Sequence, residues 1–331
     1  MKSLGRRSLL VLCVLALQGM VNNSIAQINQ IETELVQLRP KNKAGIYEPV
    51  EEFNVLKSNK DVRHGSYVKY WPVTTSLPRV LETGNYDYGL KEGEWRCFSQ
   101  SRPWNKLLSK GQYHAGLATD LWIYYWPVSG NSNFPEKITA NPQLGKTGLT
   151  ITLDDTAAIV QAKGVYSLGK RTGMWTFFDR NSVVIQKYNY STGKLLFYRV
   201  ETGEQPTFTS LSLNHPLLYG GGKAKLVNDI AESINSIALM NLGKVGEAEY
   251  VFSIDSTGTQ VAVGLAASTP PTKYDKFMLD ALSRIPGTWL PSVINARRVA
   301  ATYRIKLVSE AKNDSQYHST GVITNIKALD N

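Results

Sequence analysis

The chain has 331 residues, 42% of them hydrophobic, and a formal charge of +10 from 37 Lys and Arg against 27 Asp and Glu. Such a length exceeds one typical domain and is ample for two separate cores. Two cysteines exclude a disulfide-built scaffold, and the basic residues are scattered, apart from Arg297-Arg298, rather than run together with aromatics, so the charge reads as general solvation and not as a nucleic-acid footprint.

Residues 1–26 have the layout of a secretory signal: Lys2, Arg6 and Arg7, an apolar run from Leu9 to Leu17, then Ser24-Ile25-Ala26. The expected cut precedes Gln27. Leu12 before Cys13 is too bulky for lipoprotein processing, so Cys13 reads as part of the signal. Removal of 26 of the 331 residues leaves 305, with a charge of +7 and Cys97 as the one remaining thiol. Residues 27–60 are read as a leader segment.

A repeat organises residues 61–205. Gly84-Asn85-Tyr86 is followed by Gly93-Glu94-Trp95, Gly111-Gln112-Tyr113 by Asp120-Leu121-Trp122, and Gly164-Val165-Tyr166 by Gly173-Met174-Trp175. The glycines lie 27 and then 53 residues apart, a fixed period with one interval doubled. Gly93, Asp120 and Gly173 are expected in turns, because they tolerate positive φ. Short aromatic strands are expected over Ser66–Tyr70, Glu94–Phe98, Leu121–Tyr125 and Met174–Phe178. Alternation puts Trp95, Trp122 and Trp175 on one face and Phe98, Tyr125 and Phe178 on the other. Cys97 takes the place of Tyr124 and Phe177 and reads as a small buried residue. Trp71-Pro72 and Trp126-Pro127 are expected to end strands, and residues 127–160 form an insertion. The aromatics either fill the faces of a thin sheet or offer a ligand platform.

These units resemble the variant form of the MORN repeat, most closely at Gly169-Lys170-Arg171-Thr172-Gly173-Met174-Trp175-Thr176-Phe177-Phe178-Asp179, with Tyr188 to Leu195 looking like the start of another unit. The resemblance implies a run of β-hairpins serving as an interaction scaffold, and it brings no catalytic role.

The pattern changes near residues 205–215. Leu226, Ile230, Ile234 and Ile237 recur at helical spacing after Gly220-Gly221-Gly222. Ala248, Tyr250, Phe252 and Ile254 alternate, Asp255-Ser256-Thr257-Gly258 reads as a turn, and Val261, Val263 and Leu265 alternate again, which makes a hairpin. A second helix carries Tyr274, Phe277, Met278, Ala281, Leu282 and Ile285 on one stripe and stops at Pro286-Gly287. Val299, Ala301, Tyr303, Ile305 and Leu307 form the last strand, leaving residues 310–331 as a tail.

Over residues 211–309 the sequence is similar to the C-terminal domain of TonB-type energy transducers. The carrying residues are Tyr219-Gly220-Gly221, the hairpin Gly246 to Gly258, Leu279-Asp280-Ala281-Leu282, Trp289-Leu290-Pro291 and Tyr303-Arg304-Ile305. The resemblance implies a small antiparallel sheet with helices on one side, and pairing with extended segments of outer-membrane transporters. Three departures bear on energy coupling: a cleavable signal, a repeat domain where a proline-rich linker belongs, and Ser236-Ile237-Ala238-Leu239-Met240 in place of a Tyr-Pro step.

Catalytic chemistry is not indicated. His64, His114, His215 and His318 show no ligand spacing, Gly220-Gly221-Gly222-Lys223 lacks the second half of a phosphate loop, and Asp154-Asp155 are neighbours whose side chains point apart. The expected fold class is a mainly β repeat meander followed by an α+β domain with a small antiparallel sheet and two helices. The expected function is that of an exported, non-enzymatic binding protein of a Gram-negative envelope, with no metal, cofactor or nucleic acid. Its partner, an envelope or outer-membrane protein, is expected to add a strand to the repeat sheet or to an exposed edge of the C-terminal sheet, where Thr302, Tyr303, Arg304, Ile305, Lys306, Leu307 and Val308 are the candidate surface. Two alternatives stay open: a divergent energy transducer that keeps residues 1–26 as an anchor, and a glycan-processing enzyme with a site between the repeat aromatics and the 127–160 insertion.

Overall fold

The computed structural model describes residues 31–38, 49–71, 78–99, 105–127, 138–140, 149–151, 158–199, 214–235, 246–269, 274–285, 289–314 and 318–329. Its architecture is a long antiparallel meander followed by a small α+β module, the fold class that the sequence indicates. The meander runs through β1 (Thr33–Leu38), β2 (Val50–Leu56), β3 (Asn59–Trp71), β4 (Arg79–Asp87), β5 (Leu90–Phe98), β6 (Leu107–His114) and β7 (Leu117–Tyr125). A separate pair, β8 (Ile138–Ala140) and β9 (Leu149–Ile151), interrupts it. It resumes with β10 (Val160–Ser167), β11 (Lys170–Phe178), β12 (Val184–Asn189) and β13 (Lys194–Tyr198), giving eleven strands in chain order. The sheet therefore starts at Thr33, inside the segment read as a leader, where no Gly-x-Tyr unit marks it.

Hairpin chemistry departs from expectation in one respect. In the three repeat units the two-residue turns are Tyr88-Gly89, Ala115-Gly116 and Leu168-Gly169, every residue at positive φ, the handedness that matches strand twist. Gly93, Asp120 and Gly173 do take positive φ, at 70°, 54° and 58°, but inside β5, β7 and β11, where the pairing register shifts and the strand continues. The strands are accordingly four residues longer at their starts than the aromatic runs alone suggest.

The three tryptophans share a face and nearly vanish from solvent. Each indole lies flat over the glycine of its own unit. A Cβ on Gly84, Gly111 or Gly164 would come within 2.3, 2.1 and 2.3 Å of Trp95, Trp122 and Trp175. In every unit the indole N–H donates to the carbonyl of the residue after that glycine, Asn85, Gln112 or Val165, at 3.1 Å. The glycine is thus required by close approach of a ring, not by its torsion angles. Phe98 and Tyr125 pack on the opposite face with Val50, Tyr70, Val80 and Leu107.

The second module begins with β14 (Leu218–Tyr219) and helix α1 (Gly222–Asn235), then β15 (Gly246–Ile254), β16 (Gln260–Thr269) and helix α2 (Tyr274–Leu282). β17 (Trp289–Leu290) pairs with β14, β18 (Ser292–Ile294) with β19 (Arg297–Val299), and β20 (Ala301–Asp314) and β21 (His318–Leu329) complete a four-stranded sheet of order β16-β15-β20-β21. Leu226, Ile230 and Ile234 of α1 and Met278, Ala281 and Leu282 of α2 bury against Tyr250, Phe252, Ile254 and Ile305 of the sheet. Phe277, expected on that stripe, faces outward and is 53% exposed, because Met278 and Ala281 already fill the contact. Ile237 lies outside the described residues. The turn at Asp255 is built as expected, its carboxylate accepting from the amides of Thr257 and Thr259.

The two modules meet at the β11–β12 end of the meander. Leu290 and Leu218 pack into the cluster of Trp175, Phe177 and Tyr188, and the Gly221 amide donates to the Gln186 carboxamide oxygen at 2.8 Å. Among the described residues no helix is long and apolar enough to cross a membrane.

Candidate functional site

Thr302–Val308 is an interior segment, which corrects its expected place at a sheet edge. β15 pairs with it along one side, from Glu247↔Val308 to Ser253↔Thr302, and β21 along the other, from Arg304↔Leu329 to Val308↔Asn325. The residues read as a tail supply that covering strand. Ile305 and Leu307 point into the helical core, Tyr303 packs on Trp289 at 5.2 Å, and Lys306 is held by Glu247, whose carboxylate raises the lysine above its ordinary value. From Arg304 to Val308 the strand is paired on both sides, so that stretch has no free ladder groups to offer a partner.

The open edges lie elsewhere, and they differ in chemistry. β1 is fringed by the ion pairs Lys57–Glu32 and Lys60–Glu34, β13 opens with Lys194, and β21 carries His318 and Lys327. β16 reads Gln-Val-Ala-Val-Gly-Leu-Ala-Ala-Ser-Thr, ten residues without a charge or a proline. Val261 is 62% exposed, and a Cβ on Gly264 would meet nothing within 4 Å. Only Val263 turns inward to the core, while register shifts near Val261 and Ala266 add local twist. Proteins ordinarily guard an edge with charge, proline or covering structure. Within the described residues this edge has bulges alone. Its ends are anchored: Gln260 receives the Trp289 indole N–H and donates to Leu282, and Ser268 donates to Asp275.

A second arrangement lies on the tryptophan face of the meander, where each indole stands between two nearly perpendicular tyrosines. Tyr86 and Tyr113 flank Trp95 with interplanar angles of 87° and 74°. Tyr113 and Tyr166 flank Trp122 at 85° and 67°, and Tyr166 and Tyr190 flank Trp175 at 88° and 78°. The tyrosines are shared between neighbouring units, so the face is a continuous row of aromatic cages. Over Trp95, Trp175 and the preceding ring Tyr67 the cation comes from the residue four before the ring. Lys91 Nζ sits 3.7 Å from the Trp95 ring centre, the Arg171 guanidinium 4.3 Å from Trp175, and the Arg63 guanidinium 4.2 Å from Phe53 beside Tyr67. Glu82 pairs with Lys91 and Glu51 with Arg63, whereas Arg171 donates to the Tyr166 and Tyr190 hydroxyl oxygens. Burial pushes the Tyr190 and Tyr124 phenols up, so they stay neutral beside it.

Among the described residues the histidines singled out above stand apart from one another. His64 contacts Asp87 and His114 contacts Glu92, both toward the hairpin tips, while His215 bonds the Pro216 carbonyl. Among the described residues no three His, Cys, Asp or Glu side chains come together to hold a metal. The Cys97 thiol is pushed up by burial and by the Glu82 carboxylate, which keeps it protonated and inert. Asp154 and Asp155 lie outside the described residues. No protein-family model, curated protein or solved structure matches the chain.

Proposed function

We propose that this chain is an exported, non-enzymatic binding protein of a Gram-negative cell envelope, and that it captures an extended segment of a protein partner by strand addition along β16. The observation that carries the reading is the edge itself: ten uncharged residues, exposed along nearly their whole length, on a strand braced by a rigid helical core. Unpaired N–H and C=O groups on such an edge supply affinity, and the side chains flanking them supply selection. An uncharged edge favours an uncharged, β-prone segment. The meander then serves as the platform that carries this module, joined to it through Leu290 and Gln186.

The test is photo-crosslinking in source cells from a reactive side chain placed at Ala266, with the partner identified by mass. Val261→Lys together with Leu265→Lys should reduce binding of that partner by at least about tenfold, since charge on an edge opposes pairing, while the melting temperature stays near that of the parent. Undiminished binding would overturn the reading. Lys306→Ala on the interior strand should leave capture intact.

A further inference from the structure

One end of the meander carries an exposed apolar ridge. It is built by the spatially consecutive hairpins β4–β5, β6–β7 and β10–β11, where Tyr88, Leu90, Leu117 and Leu168 are 59, 50, 47 and 77% exposed. The turns stand in register, because the amides of Gly116 and Gly169 donate to the Lys91 and Ala118 carbonyls of the hairpin before. Neighbouring tips are therefore two strands apart, about 10 Å. The first residue of each turn is Tyr88, Ala115 or Leu168, at φ of 43°, 49° and 50°. That place in a two-residue turn favours Asn, Asp or Gly, so Tyr88 and Leu168 combine an unfavourable backbone with an unfavourable exposure. Strain and exposed apolar surface found together mark a contact surface.

We propose that this ridge docks a basic amphipathic helix of a protein partner, one with apolar residues at every seventh position and Lys or Arg beside them. Spacing selects a helix: seven residues rise about 10.5 Å, which matches the tips, and about 15 residues span all three. An extended segment is disfavoured, since the turn amides of Gly89, Gly116 and Gly169 are already bonded to the Arg63, Lys91 and Ala118 carbonyls. A helix satisfies its own backbone and needs side-chain contact alone. Charge selects the sign. Asp87 precedes Tyr88 with its carboxylate exposed, the Glu92 carboxylate reaches the Ala115 amide of the next tip, and Asp120 stands close enough to His114 to raise it. His64 and His114, beside Asp87 and Glu92, are charged only when protonated. Among the described residues of these turns Lys170 is the one exposed ammonium, because Lys91 is turned in over Trp95 and paired with Glu82. The same carboxylates oppose anionic lipid headgroups.

The experiment follows the backbone amides of Gly89, Gly116 and Gly169 in the proton–nitrogen spectrum of the whole protein. Three synthetic peptides of about 18 residues are added separately: leucines at helical spacing with lysine elsewhere, the same leucines with glutamate elsewhere, and the lysine composition with its leucines alternating. The helical lysine peptide should shift all three amides saturably, and the other two should bind at least about tenfold more weakly. Tyr88→Asn together with Leu168→Asn should weaken that binding at least about tenfold, while the melting temperature holds or rises because Asn suits the turn. Phe277→Ser, which removes an exposed ring of the second module, should leave binding unchanged. No saturable shift with the helical lysine peptide, equal binding of either other peptide, or undiminished binding by the Asn variant overturns the proposal. Matching shifts with phosphatidylglycerol vesicles, in the absence of peptide, would make the ridge a lipid contact and overturn it as well.

Discussion

Gly221, at the start of α1, donates its backbone amide to the side-chain oxygen of Gln186 in β12, 2.8 Å away and wholly out of solvent. Sheet and helix thereby share one hydrogen bond across the junction, and Leu290 and Leu218 seal it with apolar contact. Heat should unfold the described meander and module in one calorimetric transition. Gln186→Ala should lower stability by about 2 kcal/mol, because a buried amide loses its acceptor, and amide exchange at Gly221 should accelerate. Two resolved transitions in the parent would show the junction to be weaker than its contacts imply.

Gly111→Ala should cost about 3 kcal/mol, since the new methyl would stand 2.1 Å from the Trp122 ring and the indole must leave its place. Gly264→Ala, in open space on β16, should leave stability unchanged or raise it by about 0.5 kcal/mol. Denaturant titration of the two variants separates a glycine needed for close approach from one that is not.

Lys225 and Asp229 form a buried ion pair one turn apart on α1, with oxygen–nitrogen distances of 2.7 and 2.8 Å, and the Tyr219 hydroxyl donates to the same carboxylate. Asp229→Asn should destabilise by about 3 kcal/mol, because it strands the ammonium away from water. Adding Lys225→Met should recover most of that loss in a double-mutant cycle; an additive double variant would argue that the pair does not interact.

The His114–Glu92 pair sets a pH window. The carboxylate raises the His114 imidazole above 6.5, and the imidazolium, with the Ala115 amide, lowers Glu92 below 4.5. A raised base stabilises fully below its unfolded value and stops as pH rises through its folded one. A lowered acid stabilises above its unfolded value and stops as pH falls through its folded one. The pair therefore contributes most between the two ordinary values, and modestly, since both groups are exposed. Glu92→Gln should bring the His114 midpoint, read by proton NMR, back toward 6.5; an unmoved midpoint would remove the pairing.

The face carrying Trp95, Trp122 and Trp175 was legible because strand alternation and the Gly-x-Tyr spacing both mark it. Other features left no such trace. β1 and β2 join the sheet through ordinary apolar residues such as Val50, Phe53 and Val55, with no repeat motif to extend the pattern backwards. The edge was misplaced at Thr302–Val308 because alternation reports which face a residue takes, while the neighbour, here His318–Leu329, depends on long-range pairing. Phe277 shows the same limit on a helix, where hydrophobicity at the right spacing still yields to the space that Met278 and Ala281 leave.

In the meander nearly every strand bonds to the strands just before and after it in the chain, so its contacts are local and each hairpin can fold onto the one already formed. A sheet assembled in this way can lengthen or shorten by a whole unit, such as the 27 residues from Gly84 to Gly111, without rerouting any other strand. Duplication or deletion of a unit would change the number of cages and their distance from the β16 edge while keeping the architecture of both ends, which makes reach an independently adjustable property of this protein.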